Sequence, residues 1–273
     1  MPRASNRLLL VGGMSLTTFI ITFPFYWLVI SSIKSRSGLF TVDLWPDRLT
    51  IENYTNILHQ SEFTRYFLNS VVVAVVVTVV TIGVSVLGAF SLVFFRYPGR
   101  EMCGRLILFT YMFPGVVIII PISNIMSALH LADNIVSVMI VELVLTVPFG
   151  VWMLRGFFMD IPRELEEAAI VDGASKMRAL IGILLPSASP GIVAVAVFTF
   201  IFSWNEYLYP LVLINNEASK TLPLGIAGFM GQLTVQWGPL LASGVLSTIP
   251  ILVLFVFLQR FLIEGLTAGA VKG

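Results

Sequence analysis

The chain has 273 residues, of which 57% are hydrophobic and 11% are charged, and its formal net charge is +1. A soluble domain carries about 25% charged residues, so this deficit excludes a surface that faces water throughout. The net charge argues against a nucleic-acid partner, because phosphate neutralisation needs clustered lysine and arginine. The single cysteine, Cys103, excludes an internal disulfide and a cysteine metal cluster. The composition predicts a protein embedded in a lipid bilayer.

Six long apolar runs predict six membrane-spanning helices. A bilayer core about 30 Å thick needs roughly 20 apolar residues per helix. The β-branched run 71–80 would favour a strand in water, but in lipid a helix satisfies its own backbone hydrogen bonds and an open strand does not. The first run is too long for a secretory signal and lacks a small-residue cleavage site, so it is predicted to be retained. The predicted spans are 8–33, 70–95, 106–128, 135–154, 188–213 and 240–259.

The uncharged stretch 221–259 is long enough to suggest a seventh span. Its first half is rich in glycine and also holds Gln232 and Gln236, which makes a poor lipid-facing helix. Irregular backbone at membrane depth must be covered by protein or line a cavity. We therefore predict an outer loop over about 215–238 instead of a span.

The distribution of lysine and arginine predicts that both termini are cytoplasmic. With that orientation, 11 of the 16 cations lie inside. They are Arg3, Arg7, Arg96, Arg100, Arg105, Arg155, Arg163, Lys176, Arg178, Arg260 and Lys272. No soluble domain is visible, so the whole chain, 1–273, is predicted to be one multi-pass membrane domain.

One internal loop, 155–178, holds nine of the 31 charged residues. Asp160 is predicted to cap a helix whose first turn contains Pro162, and Glu164 lies near the positive end of its dipole. Gly173 then permits a sharp turn before a second helical stretch, 175–185, that ends at Pro186. Ala169 and Gly173 share a face on which another surface can approach closely. Two interpretations remain open: a docking site for a partner, or an interfacial linker helix, although such linkers usually carry a basic face.

The spacing of this loop resembles a known motif. Glu167-Ala168-Ala169, then Gly173, Ile183 and Leu185-Pro186, are similar to the EAA loop of the membrane subunits of ABC importers. Seven fixed positions at usages of roughly 5–10% each match by chance about once in 10⁸ windows. Flanking segments are similar to the shorter, six-span partner in carbohydrate-uptake permeases of the maltose-permease type. These segments are 24–27, Glu52-Asn53-Tyr54, Asn69-Ser70, Trp204-Asn205-Glu206 and 265–273.

The resemblance implies an all-α integral membrane protein with the type I ABC importer permease fold. It implies a second related permease subunit, two copies of a cytoplasmic ATPase docked on EAA loops (about 160–187 in this chain), and an extracytoplasmic sugar-binding protein. The chain itself would be no enzyme and would bind no cofactor, because Mg-ATP is expected in the partner ATPase and the sequence has no phosphate-binding loop. The implied ATPase-coupling residues are Glu164, Glu166, Glu167, Ala168, Ala169, Asp172, Gly173, Ile183, Leu185 and Pro186.

Polar residues inside the predicted spans are candidates for the substrate path. Carboxylates and amides hydrogen-bond sugar hydroxyls, and an aromatic face covers the apolar side of a sugar. The alternative is an inter-subunit hydrogen-bond network or an interfacial aromatic belt. The candidates are Asn124, Glu142, Trp204, Asn205, Glu206 and Tyr207. The outer loop is either a mobile probe that reaches toward the binding protein or a glycine-rich connector.

The leading hypothesis is therefore a permease subunit of a binding-protein-dependent ABC importer that forms half of an alternating-access path for a sugar or sugar derivative. A self-contained, ion-driven secondary transporter is the alternative, and it would require midplane carboxylates in two related repeats. A membrane scaffold without transport would leave the EAA spacing unexplained.

Overall fold

The computed structural model describes the backbone of residues 4–46, 48–59, 62–112, 114–231 and 234–270, with their side chains between residues 9 and 259. Within these ranges the chain is helical, apart from loops and two isolated bridges, Lys34–Leu49 and Met230–Val235. The chain divides into two compact units, residues 1–64 with 225–249 and residues 65–224 with 250–273.

Four helices are long and apolar enough to cross a membrane, judged over the described residues: Leu9–Ser32, Phe63–Phe94, Ile135–Met159 and Trp237–Gln259. Two pairs of helices, each bent at a short break, are also long and apolar enough when taken together: Arg100–Tyr111 with Gly115–Ala128, and Lys176–Ser187 with Ser189–Asn205. The number of candidate spans is therefore six if each bent pair is one span. The β-branched run 71–80 lies inside a helix, as predicted. The described stretch between residues 221 and 236 contains no seventh candidate span.

The helices are numbered in chain order. They are α1 (Ala4–Ser32), α2 (Glu52–His59), α3 (Phe63–Phe94), α4 (Arg100–Tyr111), α5 (Gly115–Ala128), α6 (Ile135–Met159), α7 (Arg163–Val171), α8 (Lys176–Ala179), α9 (Leu185–Ser187), α10 (Ser189–Asn205), α11 (Leu208–Leu213), α12 (Leu222–Ala227) and α13 (Trp237–Ala270).

Two of the predicted spans are broken. The third is bent by 96° between α4 and α5, and Pro114 stands in extended conformation before α5 instead of inside a helix. A proline has no backbone N–H and suits the start of a helix. The fifth stops at Asn205, and α11 follows after Glu206, whose backbone is extended. A hydropathy window cannot detect these breaks, because apolar residues continue on both sides.

The larger unit, residues 65–224 with 250–273, contains two cores of buried side chains. The first joins the ends of α3 and α6 to the loop before α10, through Val86, Ala89, Phe90, Val93, Phe94, Leu154, Phe158, Ile161, Leu180, Leu184, Ala188 and Val195. The second joins α3, α5, α6 and α11 through Val73, Val77, Ile119, Met126, Val138, Val141, Tyr209, Leu213, Ile214 and Leu224.

Close packing of α3 on α6 depends on a small residue. A Cβ atom at Gly150 would collide with the Ser85 hydroxyl and stand 3.2 Å from the Thr81 methyl group. Four residues before Gly150, the Thr146 and Thr81 hydroxyls are 2.7 Å apart. Small residues and hydroxyl bonds of this kind hold helices together in lipid, where no hydrophobic force drives their association.

The smaller unit, residues 1–64 with 225–249, is built around the outer end of α1. Lys34 is 1% exposed, and its amine donates to the carbonyls of Thr41 at 3.0 Å and Asp43 at 2.8 Å while lying over the Trp27 ring. Asn53 donates to the carbonyls of Ser32 and Lys34. These bonds fasten the polar segment after α1 to the helix end.

Candidate coupling helix and intramembrane cavity

The charged loop folds as a short helix, α7, with its first residue at Arg163. Asp160 does not cap it: Asp160 is the last residue associated with α6, and Pro162 holds the N-cap position of α7. The prediction of the cap was wrong because α6 extends five residues beyond the predicted span, to Met159. Glu164 and Glu166 do lie in the first turn of α7, where the helix dipole favours negative charge.

Gly173 ends α7 in a hydrogen-bonded turn. Its φ is +85°, in the left-handed region that glycine adopts at little cost. The Ala174 N–H donates to the Ala169 carbonyl at 2.9 Å, and the Gly173 N–H donates to Ile170 at 3.0 Å. This pair of bonds is the Schellman motif, which satisfies the last carbonyls of a helix. The glycine of the EAA spacing is therefore a structural requirement of the turn.

The two faces of α7 differ. Glu166 and Ala169 are each 7% exposed and turn toward the rest of the chain, and the Glu166 carboxylate is 3.8 Å from the Lys176 amine. The small Ala169 side chain thus serves packing within the chain, and it does not share an open face with Gly173 as predicted. The exposed face consists of Glu164, Leu165, Glu167, Ala168, Ile170, Val171, Asp172 and Gly173.

The second half of the loop anchors α7. The predicted single helix 175–185 is α8, then one π-helical turn over Leu180–Leu184, then α9, and Pro186 lies inside α9 instead of ending the segment. Leu180 and Leu184 are buried in the first core, whereas Ile183 and Leu185 are half-buried and Pro186 is exposed. Of the predicted coupling residues in this half, Ile183 and Leu185 therefore support the loop. The deeper anchors, Leu180 and Leu184, carry only the weak signal of apolar residues four apart.

A cavity of about 290 Å³ opens within the larger unit between α5, α6, α10 and α11. Volumes near 300 Å³ are the lower end of small-molecule sites. The rings of Phe198 and Phe202, whose centroids are 6.3 Å apart, form one side, and Phe149 packs on Phe198 with a centroid distance of 3.9 Å. The lining residues are Tyr111, Gly115, Val116, Leu145, Thr146, Phe198, Phe202, Glu206, Leu208 and Tyr209.

Glu206 is the predicted path residue that this cavity contains. One carboxylate oxygen accepts the N–H groups of Leu208 at 2.8 Å and Tyr209 at 3.1 Å, which begin α11. A carboxylate has two oxygens and about four acceptor positions, so acceptor capacity remains for a ligand. A Cβ atom at Gly115 would collide with the Tyr209 hydroxyl. The glycine therefore lets the tyrosine reach across from α11 to α5.

The other predicted path residues lie elsewhere. Trp204 is buried against the rings of Phe67 and Phe200, which fits a core role. Asn205 donates to the Ile201 carbonyl of its own helix. Asn124 on α5 and Tyr207 are exposed and do not line the cavity. The residues missed by sequence reasoning are chiefly Tyr209, Phe198 and Phe202, of which the last two show a helical spacing of four.

Glu142 lies inside the larger unit and not at its surface. It is 1% exposed, and neither carboxylate oxygen has a hydrogen-bond partner among the described residues. The hydroxyls of Thr199 and Ser203 on α10 are also buried and fall outside normal hydrogen-bond geometry within the described chain, although the Ser203 hydroxyl is close enough to interact with the Glu142 carboxylate. A buried ionisable group that is so poorly solvated is costly in lipid and marks a functional candidate. Glu142 does not itself line the cavity, although Thr146, one turn further along α6, does.

The base of the outer loop is fixed to the larger unit. Asn69 donates to the carbonyls of Ala218 and Lys220, and the Ser70 hydroxyl accepts the Leu222 N–H at 2.7 Å. This gives the Asn69-Ser70 pair a structural role at the start of the outer loop. Gln236 donates its N–H to Phe229, and Trp237 begins α13. Gln232 lies outside the described residues.

Two carboxylates outside the spans strengthen this base. The Asp133 carboxylate accepts the N–H groups of Asn216 at 2.8 Å and Asn215 at 2.7 Å. The backbone bond from Asn216 is the largest cause, followed by that from Asn215, of a pKa of Asp133 below its usual value. The Glu217 carboxylate is hydrogen-bonded by Lys220 and Tyr66, which lowers its pKa in the same way. Both groups are therefore ionised at neutral pH.

Residues 81–267 match the family model of the binding-protein-dependent transport system inner membrane component. The chain belongs to this family. The match covers both the coupling loop and the cavity, and it places the chain among multi-pass proteins of the bacterial inner membrane. Family membership supports the importer hypothesis over the ion-driven and scaffold alternatives.

Relatives of this inner membrane component align over nearly its full length. It is 32% identical to the inner membrane ABC transporter permease protein YcjP of Escherichia coli, over 99% of this chain and 98% of the relative. It is 31% identical to the trehalose/maltose transport system permease protein MalG of Thermococcus litoralis, over 98% of each. It is 35% identical to the diacetylchitobiose uptake system permease protein DasC of Streptomyces coelicolor, over 93% and 92%.

A solved structure shares the fold. A chain of a bacterial ABC transporter that imports the acidic polysaccharide alginate superposes with a TM-score of 0.83, covering 95% of this chain and 98% of that one at 24% identity. The type I importer permease fold predicted from the sequence is thereby confirmed.

Proposed function

We propose that this chain forms half of the translocation path for a sugar or sugar derivative, in a complex with a second related permease subunit. Relatives named for trehalose and maltose uptake and for diacetylchitobiose uptake support a carbohydrate substrate. The family description supports an external binding protein that delivers it. The binding protein also determines which sugar is carried.

The energy source in this proposal is a pair of cytoplasmic ATPase subunits, one of which docks on α7. The observation that carries the proposal is the exposed face of α7, where Val171 is 85% exposed beside the carboxylates of Glu164, Glu167 and Asp172. An apolar side chain that is open to solvent next to acidic groups suits a partner cleft with basic donors, because charge-assisted hydrogen bonds are the strong ones. Mg-ATP binds to the ATPase and not to this chain.

Substrate contact is proposed at the aromatic cavity. Glu206 supplies hydrogen-bond acceptors, Tyr209 supplies a hydroxyl, and the rings of Phe198 and Phe202 supply flat apolar faces. This combination matches a sugar ring, which is polar at its edge and apolar on its faces. Glu142 and Thr146 extend the polar region behind the cavity.

Co-purification tests the ATPase docking. We expect the tagged wild-type chain to retain a second permease and an ATPase with a phosphate-binding loop, and a variant with Glu164→Lys and Glu167→Lys to lose the ATPase while retaining the permease. Glu52→Lys, an exposed charge reversal on the predicted outer side, is the matched control. Equal recovery of the ATPase with all three chains would contradict docking on α7.

Uptake into cells tests the energy source. Sugar uptake that survives an ionophore but stops when ATP is depleted supports the importer, and the reverse pattern supports the ion-driven alternative. Competition by trehalose, maltose and diacetylchitobiose then narrows the substrate class.

A further inference from the structure

A second cavity, of about 660 Å³, lies at the junction of α3 and α4 and is separate from the aromatic cavity. Three arginines line it, Arg96, Arg100 and Arg163, together with Tyr97, Gly99 and Glu101. Neither the coupling face of α7 nor the substrate path uses this group of cations. The three guanidinium groups therefore converge on one open space that neither of these roles accounts for.

Two of the guanidinium groups are held in place by carbonyls at the end of α3. Arg163 donates to the Val93 carbonyl at 3.1 Å, and Arg100 donates to the Phe95 carbonyl at 3.1 Å. A guanidinium has five N–H donors in a rigid plane, so each retains donors for a ligand. Arg96 is exposed and makes no hydrogen bond or ion pair with another described residue.

The acidic group in the cavity does not neutralise these arginines. Glu101 pairs through one oxygen with Arg100 at 3.1 Å and through the other with Arg155 at 3.2 Å. The cavity is thus lined by three arginines and one carboxylate, and that carboxylate is shared with a fourth arginine, Arg155, outside the lining. The α4 helix also begins here with Gly99 as N-cap and no side-chain cap bond, which adds the positive end of a helix dipole. Arginines held in place, the positive end of a helix dipole and an open volume are together the features of an anion-binding site.

The surroundings indicate which anion. The cavity lies between the end of α3 at Phe94 and the start of α4 at Arg100, and the end of a long apolar helix is expected at the level of the lipid headgroups. Two of its lining residues are amphipathic or apolar and open to the surroundings, Tyr97 at 38% and Met102 at 65% exposed, as in the interfacial belts of membrane proteins. By the predicted orientation this is the cytoplasmic leaflet, which carries anionic lipid.

We propose that Arg96, Arg100 and Arg163 form a binding site for a phosphate group, supplied by an anionic phospholipid headgroup of the cytoplasmic leaflet. Guanidinium groups match the geometry of phosphate oxygens through paired hydrogen bonds. The apolar rim formed by Tyr97 and Met102 accommodates the start of the acyl chains. The site is independent of which sugar is transported.

The test uses the assembled transporter in nanodiscs of phosphatidylcholine with a minority of phosphatidylglycerol, with retained lipid counted by native mass spectrometry. Arg96→Gln removes a cation that has no partner among the described residues, so it is expected to fold normally and to weaken phosphatidylglycerol retention about fivefold. Arg96→Gln with Arg163→Gln is expected to weaken it further. Arg105→Gln removes an exposed cation of α4 that does not line the cavity, and it is expected to behave as wild type.

A second arm distinguishes the two sources of phosphate. Inorganic phosphate that fails to displace phosphatidylglycerol supports the lipid source. Phosphate that displaces it and binds in pure phosphatidylcholine supports the phosphate site and reassigns it to a soluble ion. Equal phosphatidylglycerol retention by wild type, Arg96→Gln and Arg105→Gln would overturn the site. Loss of the ATPase in Arg96→Gln with lipid retention unchanged would also overturn it, and would make the cavity part of the docking surface.

Discussion

The Ala169 carbonyl accepts the Ala174 N–H at 2.9 Å across Gly173, whose φ is +85°. The turn fixes the direction in which the chain leaves α7. It also brings Lys176 back to within 3.8 Å of Glu166. The shape of the coupling segment therefore depends on one backbone conformation.

Substitution of Gly173 is expected to weaken ATPase docking in the order Asn, Ala, Asp. No atom lies within 4 Å of a Cβ built at Gly173, so the penalty is backbone strain of about 1 kcal/mol and not a clash. Asn tolerates a positive φ better than Ala does, whereas Asp places a second carboxylate directly beside Asp172, and repulsion between the two like charges disturbs the turn itself. Pull-down of the ATPase with each variant measures the effect, and membrane insertion is expected to be unchanged. Full recovery with Gly173→Asp would contradict a docking role for this turn.

Replacement of Glu206 is expected to separate its two roles. Glu206→Gln keeps an oxygen that can accept from Leu208 and Tyr209, so assembly is preserved, whereas uptake falls about tenfold because the charged acceptor is lost. Glu206→Ala is expected to lower uptake at least as much and also to loosen α11. Sugar uptake kinetics and recovery of the complex give the two readouts. Thr110→Ala, which removes a hydroxyl bonded within α4 and outside the cavity, is the control. Wild-type uptake by Glu206→Gln would remove Glu206 from the path.

Gly150→Ala is expected to destabilise the chain by about 1–3 kcal/mol, because the added methyl group overpacks the contact with Ser85 and Thr81. Gly156→Ala is the matched control in the same helix, since nothing lies within 4 Å of its added Cβ. That variant is expected to be neutral or slightly stabilising, because alanine has the higher helix propensity. Thermal unfolding in detergent measures both. Equal unfolding midpoints for the two variants would show that α3 and α6 do not pack as described.

The bonds from Asp133 to Asn215 and Asn216 make part of the stability dependent on pH. The pKa of Asp133 is lowered in the folded chain, so the contribution is complete above about pH 4 and is lost as pH falls through the lowered pKa. We expect the unfolding midpoint of wild type to exceed that of Asp133→Asn at neutral pH, and the gap to narrow below about pH 4. Thermal unfolding across this range gives the measurement. A gap that stays constant on acidification would contradict the assignment.

Much of the spanning pattern was predictable because lipid enforces it. Any long apolar run must satisfy its own backbone bonds, so even the valine-rich run 71–80 is helical. The turn at Gly173 was predictable because its backbone conformation is local. Pro114 likewise indicated a kink in the third span, but the full 96° bend before Gly115 and the stop at Asn205 were not predictable, because apolar residues continue on both sides of each.

The residues of the candidate site likewise divide into those that the sequence predicted and those that it did not. Glu206 was found because a carboxylate among aromatic residues is conspicuous in a span. Tyr209 and Phe198 were missed because their contribution depends on contacts between α5, α6, α10 and α11. The spacing of residues within one helix does not predict such contacts. Likewise, the exposed and buried faces of α7 follow from its packing, which turned Glu166 and Ala169 inward.

The enclosed position of Lys34 makes it a natural chemical reporter. Amine-acylating reagents need an accessible nitrogen, and the Lys34 amine is shielded by the Trp27 ring and the carbonyls of Thr41 and Asp43. The side chain of Lys176, by contrast, is 46% exposed. Acylation at Lys34 would thus mark molecules in which the segment after α1 has come loose, and mass spectrometry of labelled peptides could count them in intact membranes.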